Sequence, residues 1–141
     1  MARLVAVCAS QRRSDPKVDI GSGELRVGYG LVGDAHAGVS EREVSLLGLE
    51  SILRANAEHG IQAGPGSFAE NLTIEGMDLL SLRVGDRLRV GPALLEVVQI
   101  GKPLSAAHTY NFQGVSILPK EGVFCRVLEG GIVSRGDPVE V

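Results

Sequence analysis

Glycine constrains this chain most: 19 of its 141 residues are glycine, and only 4% are aromatic. The ordinary glycine share is roughly 7%, so the backbone is interrupted unusually often. The interruptions have no three-residue period, which excludes a collagen-like chain. They fall between short apolar runs rich in Leu, Val and Ile, and 44% of the chain is apolar. Such a chain can bury a core, and disorder is excluded. No apolar run approaches the roughly 20 residues needed to span a bilayer. Residues 1–141 fit one domain.

Many short strands joined by tight turns follow from this spacing. Gly85-Asp86 and Gly136-Asp137 each precede a stretch alternating apolar and polar residues, and Gly33-Asp34 is a third such step. The expected class is mainly β, barrel-like, with two or three short α-helices. Strand regions are expected from Met1 to Ser10, in short pieces over Ile20 to Gly33, and from Asn71 onward, including Leu79 to Val90 and Ala93 to Ile100. One helix is expected over Leu47 to His59. Its apolar stripe is Leu49, Ile52 and Leu53, a Glu50–Arg54 pair supports it, and Gly60 caps it. A second is expected over about Lys120 to Leu128, with Pro119 opening it and Val123, Phe124, Val127 and Leu128 on its apolar face.

The formal net charge is −3. Blanket attraction to nucleic acid or an anionic membrane is therefore not expected. The two cysteines, Cys8 and Cys125, form neither a zinc spacing nor a disulfide framework. Reduced thiols and a cytoplasmic setting are the default reading.

Four polar clusters interrupt the apolar pattern. In Gly33-Asp34-Ala35-His36-Ala37-Gly38, Asp34 and His36 share one side if the segment is a strand. They can then ligate a metal or hold an imidazole tautomer, or be a turn aspartate beside a part-exposed histidine. In Phe68-Ala69-Glu70-Asn71-Leu72-Thr73, Glu70 and Asn71 either orient a ligand or cap their own loop. Gln99-Ile100-Gly101-Lys102-Pro103 delivers a lysine beside a glycine, a setting suited to an anion, though it is not a P-loop. Leu118-Pro119-Lys120-Glu121-Gly122 either offers helix-start amides and a lysine to an anion or is a solvated helix start. Lys17 and Arg12-Arg13 make the N-terminal loop basic, and His108, Tyr110 and Asn111 form a polar island.

Taken in order, these stretches resemble the MOSC family, named for the C-terminal domain of molybdenum cofactor sulfurase. The similarity runs through Gly33–Gly38, Arg42-Glu43-Val44-Ser45-Leu46-Leu47, Phe68–Thr73, Gly85-Asp86, Gly101-Lys102-Pro103, Pro119–Phe124, Gly130-Gly131-Ile132-Val133 and Gly136-Asp137. The resemblance implies a small standalone member with a β-rich, barrel-like fold. It implies binding of the molybdenum–pterin cofactor or a related ligand, molybdenum-ion binding, and a sulfur-carrier or sulfurase-like activity. The cofactor-binding residues are then Lys17, His36, Arg42, Glu70, Asn71, Gly101, Lys102 and Lys120. The pyridoxal-phosphate domain of the full sulfurase does not fit in this length, so a sulfur donor or molybdoenzyme would be the partner. The chain departs from the pattern at Leu104, where standalone members carry a cysteine shortly after Gly-Lys-Pro. Ligand binding survives that departure better than sulfur transfer. Two alternatives stand beside it: a non-catalytic partner-docking module, and a metal-dependent hydrolase using Asp34, His36 and Glu70.

Overall fold

A computed structural model describes residues 2–12, 15–101 and 111–141. Its eleven strands are β1 (Arg3–Ala9), β2 (Val18–Asp19), β3 (Ser22–Arg26), β4 (Gly30–Leu31), β5 (Val44–Gly48), β6 (Leu72–Glu75), β7 (Arg87–Val90), β8 (Ala93–Ile100), β9 (Val123–Glu129), β10 (Gly131–Ser134) and β11 (Val139–Glu140). The helices are α1 (Leu49–His59) and α2 (Leu118–Glu121), with a 3-10 turn at Leu79–Ser81. Eight strands form one sheet in the order β11-β7-β8-β9-β5-β6-β1-β2, and β10-β3-β4 form a second. The chain is therefore mainly β, as the glycine spacing predicts.

The large sheet curls strongly. Register shifts in the β1–β6 and β8–β9 pairs add bulges, which bend and twist a strand. The approach to β11 comes back against β1: Leu4 donates its N–H to Asp137, Gly136 donates to Leu4, and Val139 donates to Ala2. Among the described residues these contacts amount to an isolated Arg3–Pro138 bridge, so no continuous ladder closes the roll into a barrel. "Barrel-like" is a loose description of this shape.

Two apolar clusters hold the domain. The larger lies within the curled sheets and includes Leu4, Leu25, Leu46, Leu72, Ile74, Leu88, Leu95 and Val133. The smaller packs α1 and α2 onto the sheet through Leu47, Ile52, Ala55, Phe68, Leu118 and Phe124. Full burial of a side chain such as Ile52 is worth about 1.5–3 kcal/mol. β5, α1 and β6 form a crossover unit, and β5–β6 is a parallel pair.

Several expectations are corrected. α1 starts at Leu49, because Leu47 belongs to β5. Its buried face is Ile52 and Ala55, while Leu53 is exposed. The Glu50–Arg54 pair does not form: Glu50 accepts the Gly76 N–H, and Arg54 pairs with Glu121. Gly60 caps α1 in the left-handed conformation as expected, donating its N–H to Asn56. The second helix is only four residues long, and Val123 to Glu129 is a strand. β9 runs between β8 and β5, with Val123, Phe124, Cys125 and Val127 all buried. Leu79 to Val90 is not continuous strand: the 3-10 turn and a Gly85 turn precede β7.

Candidate functional site

A cluster of buried polar side chains meets beyond the C-terminal end of β1. Ser10 follows that strand, and Lys17 precedes β2. Lys17 runs inward beneath the Gly64–Ser67 turn, donating its backbone N–H to Gly66. Its ammonium sits 2.6 Å from Asp34 Oδ1, with both side chains only 1% exposed. Ser10 Oγ lies 3.2 Å and His36 Nδ1 3.0 Å from the same nitrogen. Two charges taken out of water need each other and further hydrogen bonds, and both have them. Asp34 Oδ1 also accepts the Ser10 N–H, while Oδ2 accepts the His36 N–H. Burial pushes the Asp34 carboxyl up, but its hydrogen bond to Lys17 and the Lys17 charge outweigh this, so its pKa is lowered.

Asp34 and His36 do not lie on a strand. They occupy a turn after β4, in which Asp34 donates its N–H to Leu31 and Ala37 donates to Asp34. The His36 side chain is 42% exposed, so its ring spans from the buried ammonium to the surface.

Glu70 and Asn71 stand behind this cluster. Glu70 is fully buried; its Oε2 accepts the Gly66 N–H at 2.9 Å and the Thr73 hydroxyl at 2.6 Å. Its Oε1 is buried with no hydrogen-bond partner among the described residues. Burial raises the pKa of this carboxyl despite the donors around it. Glu70 thus ties together the loop that leads into it, and Ala69 takes a left-handed conformation to let it turn inward. Gly66 is required above: a Cβ there would collide with the Lys17 carbonyl and touch Cys8. Asn71 joins three strands. Its side-chain oxygen accepts the Ser45 N–H, and its Nδ2 donates to the Cys8 carbonyl.

The remaining predicted residues lie elsewhere or outside the described segments. Arg42 is exposed, with its guanidinium 5.9 Å from the centre of the Phe124 ring. Gly101 ends β8 and donates its N–H to Gly122, and Lys120 is exposed on α2. Three strands separate β8 from β1, so this pair belongs to another part of the sheet. The N–H groups of Lys120, Glu121 and Gly122 are used within the α2 turn. Lys102, Leu104, His108 and Tyr110 lie outside the described residues. Among the described residues, no three His, Cys, Asp or Glu side chains gather to hold a metal. Asp34 is engaged by Lys17 and Glu70 by its own loop, so the three-ligand set of the hydrolase reading does not form.

Cys125 is in a strand, not a helix, and both described thiols are buried. Burial pushes each up to about 12, with the neighbouring Glu70 adding to the effect at Cys8. At pH 8 only about one in ten thousand would be thiolate, the reactive form. Labelling with a disulfide reagent should therefore be at least about 100-fold slower in native than in denatured protein. Labelling of a thiol within mixing time would contradict this burial.

A sequence model of the MOSC domain matches residues 33–140. The chain belongs to the MOSC domain family. No curated protein sequence matches it. Among solved structures, YiiM from Geobacillus stearothermophilus is similar at 19% identity and a TM-score of 0.75, over 99% of this chain and 74% of that one. The YuaD protein of Bacillus subtilis is similar at 19% identity and a TM-score of 0.77, over 99% and 94%. YiiM from Escherichia coli is 27% identical with a TM-score of 0.67, over 98% and 68%. The MOSC match begins at Gly33, immediately before Asp34 and His36, and leaves out Lys17, which lies 16 residues upstream of the match (33 − 17). Lys17 is thus a part of the cluster contributed from outside the matched region. No helix among the described residues is long and apolar enough to cross a membrane.

Proposed function

We propose that this MOSC domain binds a molybdenum–pterin cofactor or a related oxygen-rich ligand on the surface around His36. The observation that carries the reading is the buried Lys17–Asp34 ion pair, which anchors a half-exposed histidine where Ser10, the 33–38 turn and the 64–67 turn converge. A domain gains little stability from such a pair over an apolar one, so its positioning of His36 is the more informative consequence.

The side chains fit one part of that cofactor better than another. His36 is of a side-chain type suited to phosphate and pterin oxygens, and the exposed Arg42 guanidinium is another such group outside the cluster. Glu70 and Asn71 act through the loops they hold in place. Gly101 and Lys120 form a second candidate contact region at the end of β8. When bound, the cofactor's molybdenum centre supplies redox chemistry. Neither described cysteine offers a thiolate to that centre or to a persulfide, so binding is favoured over sulfur carriage. A molybdoenzyme or sulfur donor fits as a partner in either role.

Anaerobic titration with molybdenum cofactor released from a molybdoenzyme tests this. Saturable binding is expected at or below tens of micromolar. His36→Ala is expected to weaken it about 10- to 100-fold, the effect of losing one hydrogen bond to a charged group of about 1.5–3 kcal/mol. No binding at tens of micromolar would sink the proposal.

A further inference from the structure

We infer that Glu70 is a proton-operated latch: as a neutral carboxyl it holds the turn over residues 64–69 shut on Lys17 and Cys8, and on losing its proton it lets that turn open while the rest of the domain stays folded. The inference stands apart from the binding reading above.

The geometry makes Glu70 a poor place for a charge. The side chain is fully buried, and Oε2 alone receives both hydrogen bonds, from the Gly66 N–H and the Thr73 hydroxyl. Oε1 is buried with no partner among the described residues. An unpaired oxygen is a modest cost on a neutral carboxyl and a severe one on a carboxylate. The buried ammonium of Lys17 does not answer it, being engaged with Asp34, His36 and Ser10. Cys8 on β1 feels the Glu70 charge, together with those of Asp19 on β2 and Lys17. β6 contributes the Thr73 hydroxyl, while β5 and α1 give Leu47, Ile52 and Ala55 to the apolar cluster around Phe68. Ionisation strengthens the two bonds to Oε2, but desolvation is the larger effect and pushes the carboxyl up.

The turn that Glu70 holds is strained and lies directly on its neighbours. Ala69 has a φ of 68°, a conformation that disfavours any residue with a Cβ. Gly66 is so close beneath that a Cβ there would stand 2.2 Å from the Lys17 carbonyl oxygen and 3.3 Å from Cys8 Sγ. The Ser67 N–H reaches Gly64, the Ala69 N–H reaches Gly66, and the Gly64 N–H reaches the Ser67 hydroxyl, all within the turn. Glu70 Oε2, the Lys17 N–H and the Phe68 ring tie it to the domain. A carboxylate at Glu70 must gain water, and a short strained turn yields before the sheet does. Because the carboxyl is pushed up in the fold, the latch is shut at low pH and opens as pH rises through its folded value.

Opening the turn bares Cys8, whereas Cys125 lies in β9 within the larger apolar cluster. The test is native-state thiol labelling from about pH 6 to about pH 9, with the two sites resolved by peptide mass spectrometry. The ratio of the Cys8 rate to the Cys125 rate cancels the thiolate chemistry common to both. That ratio should climb by up to about tenfold per pH unit in the wild type and stay flat in Glu70→Gln. The direct effect of the Glu70 charge has the opposite sign, since it raises the Cys8 thiol and slows its labelling. A flat ratio in the wild type, as global unfolding would give, or an equal climb in Glu70→Gln overturns the latch. If that variant does not fold, amide exchange in the wild type decides. The Gly66 and Ala69 amides should gain on those of β8 as pH rises, and a constant ratio overturns the inference.

Discussion

Replacing Asp34 by alanine is expected to cost about 3–5 kcal/mol of folding stability, because it strands the buried Lys17 ammonium. That is a large share of a typical total of about 5–15 kcal/mol, and urea titration at neutral pH will read it directly. The cause can be separated from simple loss of contacts. Lys17→Met/Asp34→Leu removes both charges and keeps comparable volume, so it should cost clearly less than Asp34→Ala. A double variant as damaging as the single one would show that the stranded charge is not the source. The pH dependence has a definite sign. The Asp34 carboxyl has a lowered pKa in the fold, so its contribution is present above its unfolded value near 3.8 and is lost as pH falls through its folded value. Acid should therefore weaken the wild type more than the uncharged double variant.

Glu70 has the opposite sign. Its carboxyl has a raised pKa, so its contribution is full below the unfolded value near 4.5 and is lost as pH rises through its folded value. Glu70→Gln keeps an oxygen for the Gly66 N–H and Thr73 hydroxyl and removes the titration. It should match or exceed wild-type stability at neutral pH and flatten the loss above pH 4.5. Glu70→Ala should be much worse, because it leaves both donors without an acceptor at about 1–3 kcal/mol each. Thermal or urea unfolding of the two variants across pH distinguishes them. A Gln variant that unfolds as readily as the Ala variant would mean that shape at this position, rather than charge, is what the loop requires.

The contrast between these residues shows what could be read from the chain alone. The turns were legible because glycine and its neighbours act locally: the Gly60 cap and the short pieces from Ile20 to Gly33 are where their spacing puts them. β9 was misread for a physical reason. Its first half, Val123 to Cys125, is buried on both faces and lacks the alternation that marks a half-buried strand, and a short apolar run without alternation resembles a helix. The resemblance names Lys17 as a cofactor-binding residue, but nothing in its basic loop marks it as buried. Nothing within a few residues reveals that its partner is Asp34. Ser10, Ser45 and Thr73, which complete the hydrogen bonds of Lys17, Asn71 and Glu70, carried no signal, since isolated hydroxyl residues are commonplace. For Glu70 the two local options, ligand contact and loop capping, differ only in which atoms lie within reach. The fold supplies the loop's own amide and a threonine hydroxyl.

The convergence around Lys17 also bears on how the domain folds. Ser10, Lys17, Asp34, Gly66 and Asn71 come from separate segments, and Asn71 holds the carbonyl of Cys8 across 63 positions of sequence. Contacts of such separation carry a loop-closure entropy that the rest of the fold must offset. The surface around His36 therefore exists only in the assembled domain, not in a locally ordered loop. A ligand held there draws on the cooperativity of the whole molecule, so its binding energy is felt as resistance to global unfolding.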